Sequence, residues 1–315
     1  MRTINDADVA RPRAFAGAEL LQIAMPLGGI GAGCVCLNGQ GGVQDFSVRH
    51  RPATTAAPDG HGFTDAAFAL LHVKGEAPVT RLVEGPLPPE KVYDQGLQGQ
   101  GYRKGGQEGL PRFAECRFEG AYPFGTVRLS DPKVPLAVTL VGWSPFVPRD
   151  DVASGMPAAV LEYTLENTSA APVAFEFSYH LSHLAAGGKG GEKGTRSVPL
   201  PDGRGVFFFN SEDENDTAFG TAALALAGER RPDAVKAMWF RGGWFDSLTA
   251  LWREVSTGTF RANDGLPADA EGLTGRNGGS LLVTATLAPG ERVTLPIVIA
   301  WHFPNVSVSA GYPAG

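Results

Sequence analysis

Six histidines, three cysteines and an excess of acidic side chains are the groups in this 315-residue sequence that could do chemistry. Of His50, His61, His72, His180, His183 and His302, only His180 and His183 stand close in sequence. Their i, i+3 spacing puts them on opposite faces of a strand. No H-E-x-x-H or Cys/His cluster accompanies them, so no metal site is expected. Cys34-x-Cys36 and Cys116 make an odd count, which is no disulfide framework and fits a reducing, cytoplasmic compartment. Asp45, Asp150, Asp151 and Glu162 are the acids nearest to notable motifs. Folding could bring any two of them together as an acid–base pair, but none lies in a pattern that forces a partner or a raised pKa. Ser211–Asp216 is acidic but lacks the glycine and bidentate glutamate of a calcium loop, and reads as a solvated turn.

Two glycine-rich stretches imitate cofactor loops. Gly29, Gly31 and Gly33 spell G-x-G-x-G, with Cys34 where a dinucleotide fingerprint needs its last glycine, and no helix pattern follows. These glycines are expected to supply positive φ and close backbone packing. Gly187–Thr195 lacks the G-K-[ST] ending of a phosphate loop and reads as a surface loop. No G-x-S-x-G elbow occurs, and no cofactor is expected.

Most of the elements that must position these groups read as strands. Leu161–Glu166 and Val173–His180 alternate apolar and polar residues across Asn167-Thr168-Ser169, which predicts a hairpin with one core face and one solvent face. Further strands are expected at 126–129, 137–143, 206–209, 221–227, 235–240, 281–287 and 293–301. Asp246–Val255 is the convincing helix, with Leu248, Leu251, Trp252 and Val255 on one face. Residues 1–24 read as a polar lead-in, and 85–109 and 185–205 as long loops. The fold class expected is all-β: a two-sheet antiparallel sandwich with one or two short helices, forming a single domain over 1–315. The net charge of −6, with no basic run, argues against a nucleic-acid partner. No apolar stretch reaches the roughly 20 residues of a transmembrane helix, and no signal peptide is read at the N-terminus.

Three ordered sets of segments resemble the N-terminal domain of glycoside hydrolase family 116, the bile-acid β-glucosidase or non-lysosomal glucosylceramidase group. The first is Pro26–Gly33 with Gly42–Pro52. The second is Tyr122-Pro123-Phe124, Gly142–Pro148, Ser154–Pro157 and Glu166-Asn167-Thr168. The third is Ala288–Glu291 with Trp301-His302-Phe303-Pro304-Asn305. Phe46 and His50 stand where the family commonly has tryptophan and asparagine.

The resemblance implies a β-sandwich that precedes an (α/α)6 catalytic domain in retaining β-glycosidases. Retention needs two carboxyl groups about 5–5.5 Å apart. The resemblance places both on the helical domain, which is expected to be absent from this chain, so no catalytic residue is assigned and the chain alone is expected to be inactive. The expected partners are that (α/α)6 domain and, in the full-length enzyme, a β-glycoside. Asp45, Arg49, His50 and Arg51 are the candidates for substrate binding or domain contact; an Asp45–Arg51 ion pair of purely structural use is the bland alternative. Trp143, Trp244 and Trp301 are candidates for sugar stacking, with burial in the core the commoner fate of such rings. A free-standing carbohydrate-binding module and a self-contained glycosidase are the competing functions.

Overall fold

The computed structural model describes residues 12–50, 53, 65–87, 107, 109–186, 194–239, 247–265 and 277–306. They form two antiparallel sheets packed face to face. The first has nine strands in the order β1 (Arg13–Ala16), β7 (Glu115–Ala121), β8 (Phe124–Asp131), β9 (Val134–Trp143), β10 (Ala158–Asn167), β17 (Arg292–His302), β14 (Thr221–Leu226), β13 (Gly205–Phe209) and β12 (Arg196–Pro199). The second runs β15 (Ala234–Lys236), β16 (Gly278–Leu287), β11 (Val173–Ser182), β5 (Ala67–Val73), β4 (Val43–Ser47), β3 (Cys34–Asn38) and β2 (Ala24–Leu27), with β6 (Val79–Leu82) beside β5. The helices are one turn, α1 (Asp151–Ser154), and α2 (Ser247–Ser256), with 3-10 segments at Gly17–Gln22 and Leu184–Ala186. No helix among the described residues is long and apolar enough to cross a membrane. The sandwich class read from the alternation is the class observed.

Period-2 patterning builds the first sheet. In β9 and β10 every second residue is buried, with Leu136, Val138, Leu140, Leu161, Tyr163 and Leu165 facing the core. The outward residues of β10 pair across to β17: Thr164 bonds Thr294 at 2.8 Å, and Glu166 meets Arg292 at 3.0 Å.

The second sheet departs from the expected pattern. β11 is buried on both faces, and α2 lies over the neighbouring strands β5 and β6. Leu248, Leu251 and Val255 of α2 pack with Phe68, Leu70 and Trp239, so the helix face read from the sequence is the face that is buried. The polar residues of β11 are therefore buried too. His180 bonds Ser178 and Ser280 through its two ring nitrogens, at 2.9 and 2.7 Å, and the Trp239 indole donates to Ser280 at 2.8 Å.

The hairpin expected between Leu161–Glu166 and Val173–His180 does not form. β10 pairs with β9 and β17, and β11 pairs with β5 and β16, so the 167–173 connection crosses between the sheets. Alternation reports two half-buried strands but not whether they share a sheet. A five-residue link is long enough to bridge the ~10 Å sheet spacing. The Pro289-Gly290 turn makes a second crossing, from β16 to β17, and Asn167 locks the two together. Its side-chain amide donates to the Ala171 and Leu287 carbonyls at 2.8 and 2.9 Å, and its carbonyl takes the Gly290 N–H at 2.9 Å. Two expected irregular stretches also contain strands: β1 lies in the lead-in, and β12 lies within 185–205 as the sheet edge.

Candidate functional site

The functional features gather at one end of the sandwich, and the Trp301-His302-Phe303-Pro304-Asn305 segment ties them together as it leaves β17. The Trp301 indole donates to the Ala32 carbonyl at 2.7 Å, and its backbone N–H donates to the Pro157 carbonyl at 3.1 Å. The Phe303 carbonyl accepts from His50 Nε2, while the Phe303 ring lies 5.6 Å from the Arg49 guanidinium. The Asn305 amide donates to the Glu214 and Asp216 carbonyls at 2.6 and 2.8 Å, which holds the acidic turn. Each of these three residues clamps a different loop.

The 28–33 loop lies between two of the clamped segments. The Ile30 N–H donates to the Ser154 carbonyl at 2.7 Å. Gly29 packs backbone against backbone: a Cβ there would stand 2.4 Å from the Gly155 carbonyl. Gly33, at φ +83°, would bring a Cβ to 2.6 Å from the Ser47 carbonyl. These contacts fit the packing role read for the glycines. Gly29→Ala is expected to push the loop off the 154–156 segment and to cost about 1–3 kcal/mol, measured by urea unfolding. An unchanged midpoint would show that the two segments do not touch.

Arg49 and His50 are brought together on this end. Arg49 pairs with Asp65 at 2.8 Å and also donates to the Leu184 carbonyl; Asp65 in turn accepts from the Ser182 hydroxyl at 3.3 Å. His50 sits in the left-handed region at φ +55°, which turns its ring toward Phe303. Asp45 has a different setting. The step from Cys34 to Cys36 on β3 is matched by the longer step from Gln44 to Ser47 on β4, so β4 carries one extra residue. Asp45, at φ +57°, fills that bulge and accepts from the Gln44 amide at 3.0 Å. Arg51 lies outside the described residues, and with it the Asp45–Arg51 pair.

The other sequence candidates have structural settings. Asp150 caps α1 by accepting the Ala153 N–H at 2.9 Å, and Asp151 lies exposed in the first turn of that helix. Glu162 accepts a hydrogen bond from the Trp143 indole N–H at 3.1 Å. Trp301 is buried, Trp143 is half-buried, and Trp244 lies outside the described residues. His183 bonds the Arg196 carbonyl at 2.7 Å. No group of three or more His, Cys, Asp or Glu that could hold a metal occurs among the described residues.

An apolar platform on this end did not emerge from periodicity. Ile30, Tyr122 and Val152 are 67%, 63% and 83% exposed, and Phe124, Phe146, Val147 and Met156 are exposed as well. Some of them are linked through neighbouring groups. Ile30 is bonded to Ser154, whose hydroxyl bonds the Val147 N–H and carbonyl at 2.9 and 3.0 Å. Phe146 meets Tyr122 edge-on at 5.2 Å, and Phe124 lies 6.3 Å from Trp143. Tyr122 and Phe146 make an exposed aromatic pair, and contiguous exposed apolar patches mark interaction surfaces. The sequence carried it only as the Y-P-F and W-S-P-F motif segments, in which Phe124 and Phe146 each follow a proline.

The chain is similar at low levels to several solved structures. A putative aldose 1-epimerase from Escherichia coli K12 aligns at TM-score 0.42 and 12% identity, over 89% of this chain and 99% of that one. A polysaccharide lyase aligns at TM-score 0.33 and 12% identity, over 94% of this chain and 33% of that one. A putative aldose 1-epimerase from Klebsiella pneumoniae aligns at TM-score 0.36 and 12% identity, over 85% and 76%. Comparison with curated proteins finds no match. The family model described as beta-glucosidase 2, glycosyl-hydrolase family 116 N-term matches residues 24–313, which include the clamped loops, the apolar platform and the segment that ties them, and the chain belongs to that family of N-terminal domains.

Proposed function

We propose that this chain is the non-catalytic N-terminal domain of a retaining β-glycosidase of the β-glucosidase/glucosylceramidase kind. In this reading its apolar end packs on a C-terminal (α/α)6 catalytic domain and frames the mouth of the active site. The observation that carries it is the set of exposed apolar residues Ile30, Tyr122, Phe124, Phe146, Val147, Val152 and Met156, all on or next to the family segments. Asp45, Arg49, His50 and Arg51 would form the polar side of that contact. Arg49 and His50 support this because both contact Phe303, which lies in the last of the family segments. The three free cysteines support a reducing, cytoplasmic setting.

The aromatic share of the platform favours a second reading, a free-standing carbohydrate-binding module that stacks sugars on Tyr122, Phe124 and Phe146. Static light scattering, oligosaccharide titration and an aryl β-glucoside assay separate the readings. The chain alone is expected to self-associate. The double substitution Ile30→Ser and Phe146→Ser should weaken that association at least roughly tenfold, since each side chain buries about 1.5–3 kcal/mol of apolar surface. A clean monomer at high concentration would overturn the docking reading. Oligosaccharide binding that Phe146→Ser abolishes would favour the module, and hydrolysis above a buffer blank would sink both.

A further inference from the structure

The outer face of the first sheet carries a pattern that the reading above leaves unused. On β13, β14 and β17 the inward positions are core residues, such as Phe208, Leu224 and Ile299. The residues between them point outward. Strand register sets four outward residues in one row: Val198, Phe207, Ala223 and Ala300. The row reads large, large, small, small. In the next row Phe209 stands opposite Thr221, with Arg196 and His302 at the two ends. Phe207 and Phe209 stack, with ring centroids 5.7 Å apart and 25° between their planes, and so form one ridge along β13. Beside the ridge, Ala223 and Ala225 of β14 and Ala300 of β17 floor a shallow trough. Val198 is 39% exposed, and both phenylalanines are half-buried. Helix α2 lies over β5 and β6 of the second sheet.

We propose that this face pairs two copies of the chain across a twofold axis that runs along the strands between β13 and β14. Such an axis exchanges the two sides of each row and keeps the height along the strand. Phe207 of one copy then meets the partner's Ala223, and Val198 meets the partner's Ala300. Each contact occurs twice. A twofold contact has to be self-complementary, and a bulky half beside a small half meets that condition. Two bulky halves would clash, and two small ones would leave a gap. In the next row Phe209 meets the partner's Thr221, and Arg196 and His302 fall at the rim, where polar groups stay wet.

Four strands about 4.8 Å apart, with three outward positions along each, give a footprint of roughly 400 Å² per copy. That is at the low end for specific association, so the dimer is weak and reversible. None of the outward residues named in these rows is acidic, whereas the whole chain carries a net charge of −6. The repulsion between copies is therefore long-range, and salt should tighten the dimer by screening it.

The test is analytical ultracentrifugation of the full chain carrying Ile30→Ser and Phe146→Ser, which removes the platform from every arm. The expected result is a saturating monomer–dimer equilibrium that tightens as salt is raised. Ala223→Phe fills the trough and should weaken the dimer roughly tenfold or more, because the clash occurs twice across the axis. Phe207→Ala removes the ridge and should weaken it as well. Phe207→Ala combined with Ala223→Phe exchanges ridge and trough, and should restore the dimer. That recovery separates lost fit from lost folding. An exchanged chain that stays monomeric, or an Ala223→Phe chain that pairs like its parent, would overturn the proposal. So would a parent chain that stays monomeric, which would leave the face to another occupant such as a helix of the partner domain. Because the platform residues are changed throughout, none of these results bears on the domain-docking reading.

Discussion

Trp239→Ala is expected to lower the unfolding free energy by about 3–5 kcal/mol, the range for removing a large aromatic from a packed core. The Trp239 side chain is fully buried. Its ring lies 6.5 Å from Phe68 and against the bare backbone of Gly278, where a Cβ would stand 2.7 Å away. The same ring supports Leu248, Leu251 and Val255, so the truncation undermines α2 as a unit. Its indole N–H donates to Ser280, which keeps His180 as a partner after the change, so the loss is one of packing more than of an orphaned polar group. Denaturant unfolding followed by circular dichroism should show the midpoint shift. A loss below about 1 kcal/mol would mean that α2 does not rest on this surface.

Stability is also expected to fall as pH is lowered from about 6.5 toward 3, through His180. Burial, with a smaller contribution from the Lys236 cation, depresses the His180 pKa to about 3. The groups against its ring are the Ser178 and Ser280 hydroxyls and the Phe68 ring, 4.9 Å away. The unfolded chain takes up a proton near the ordinary histidine pKa of 6.5, and the native state refuses it until about pH 3. Over that window the unfolded state binds more protons, so stability rises with pH. The contribution is complete above 6.5 and is lost at about 1.4 kcal/mol per pH unit below it. At pH 4.5 the deficit from this residue should reach about 2–3 kcal/mol. Carboxylates titrate in the same range, so the measurement is a difference: His180→Gln should show a flatter dependence of melting temperature on pH than the parent chain. Parallel curves would show that His180 takes up its proton in the folded state.

The two effects come from one place, the outer face of the second sheet, and that face was the least legible part of the fold. Glu176, Ser178 and His180 occupy the polar positions of β11, and the alternation assigned them to solvent. Helix α2 was legible from Leu248, Leu251 and Val255, but where it docks was not, because a helical apolar stripe does not name its partner. β5 escaped for a related reason. Ala67–Val73 is buried on both faces, so it has no polar period to read.

On the functional end, the glycines of 28–33 were legible as packing residues, and Arg49 and His50 as polar candidates. Their actual partners, Asp65, the Leu184 carbonyl and Phe303, are up to 253 positions away in the chain, and nothing in local spacing points to them. The platform was legible only as motif segments. Tyr122, Phe124 and Phe146 have no property in the linear chain that distinguishes an exposed aromatic from a core one.

The sequence by itself determined the local alternatives at each position: strand or helix, core face or outer face, and a turn at Asn167-Thr168-Ser169. Those follow from side-chain period and backbone sterics, which act over a few residues. The tertiary structure alone decided that this turn and the Pro289-Gly290 turn both cross between sheets, that the polar face of β11 is buried, and that the seven large apolar side chains of the platform stay exposed. Each depends on which distant segments pack together, and that choice is made by burial summed over the whole chain.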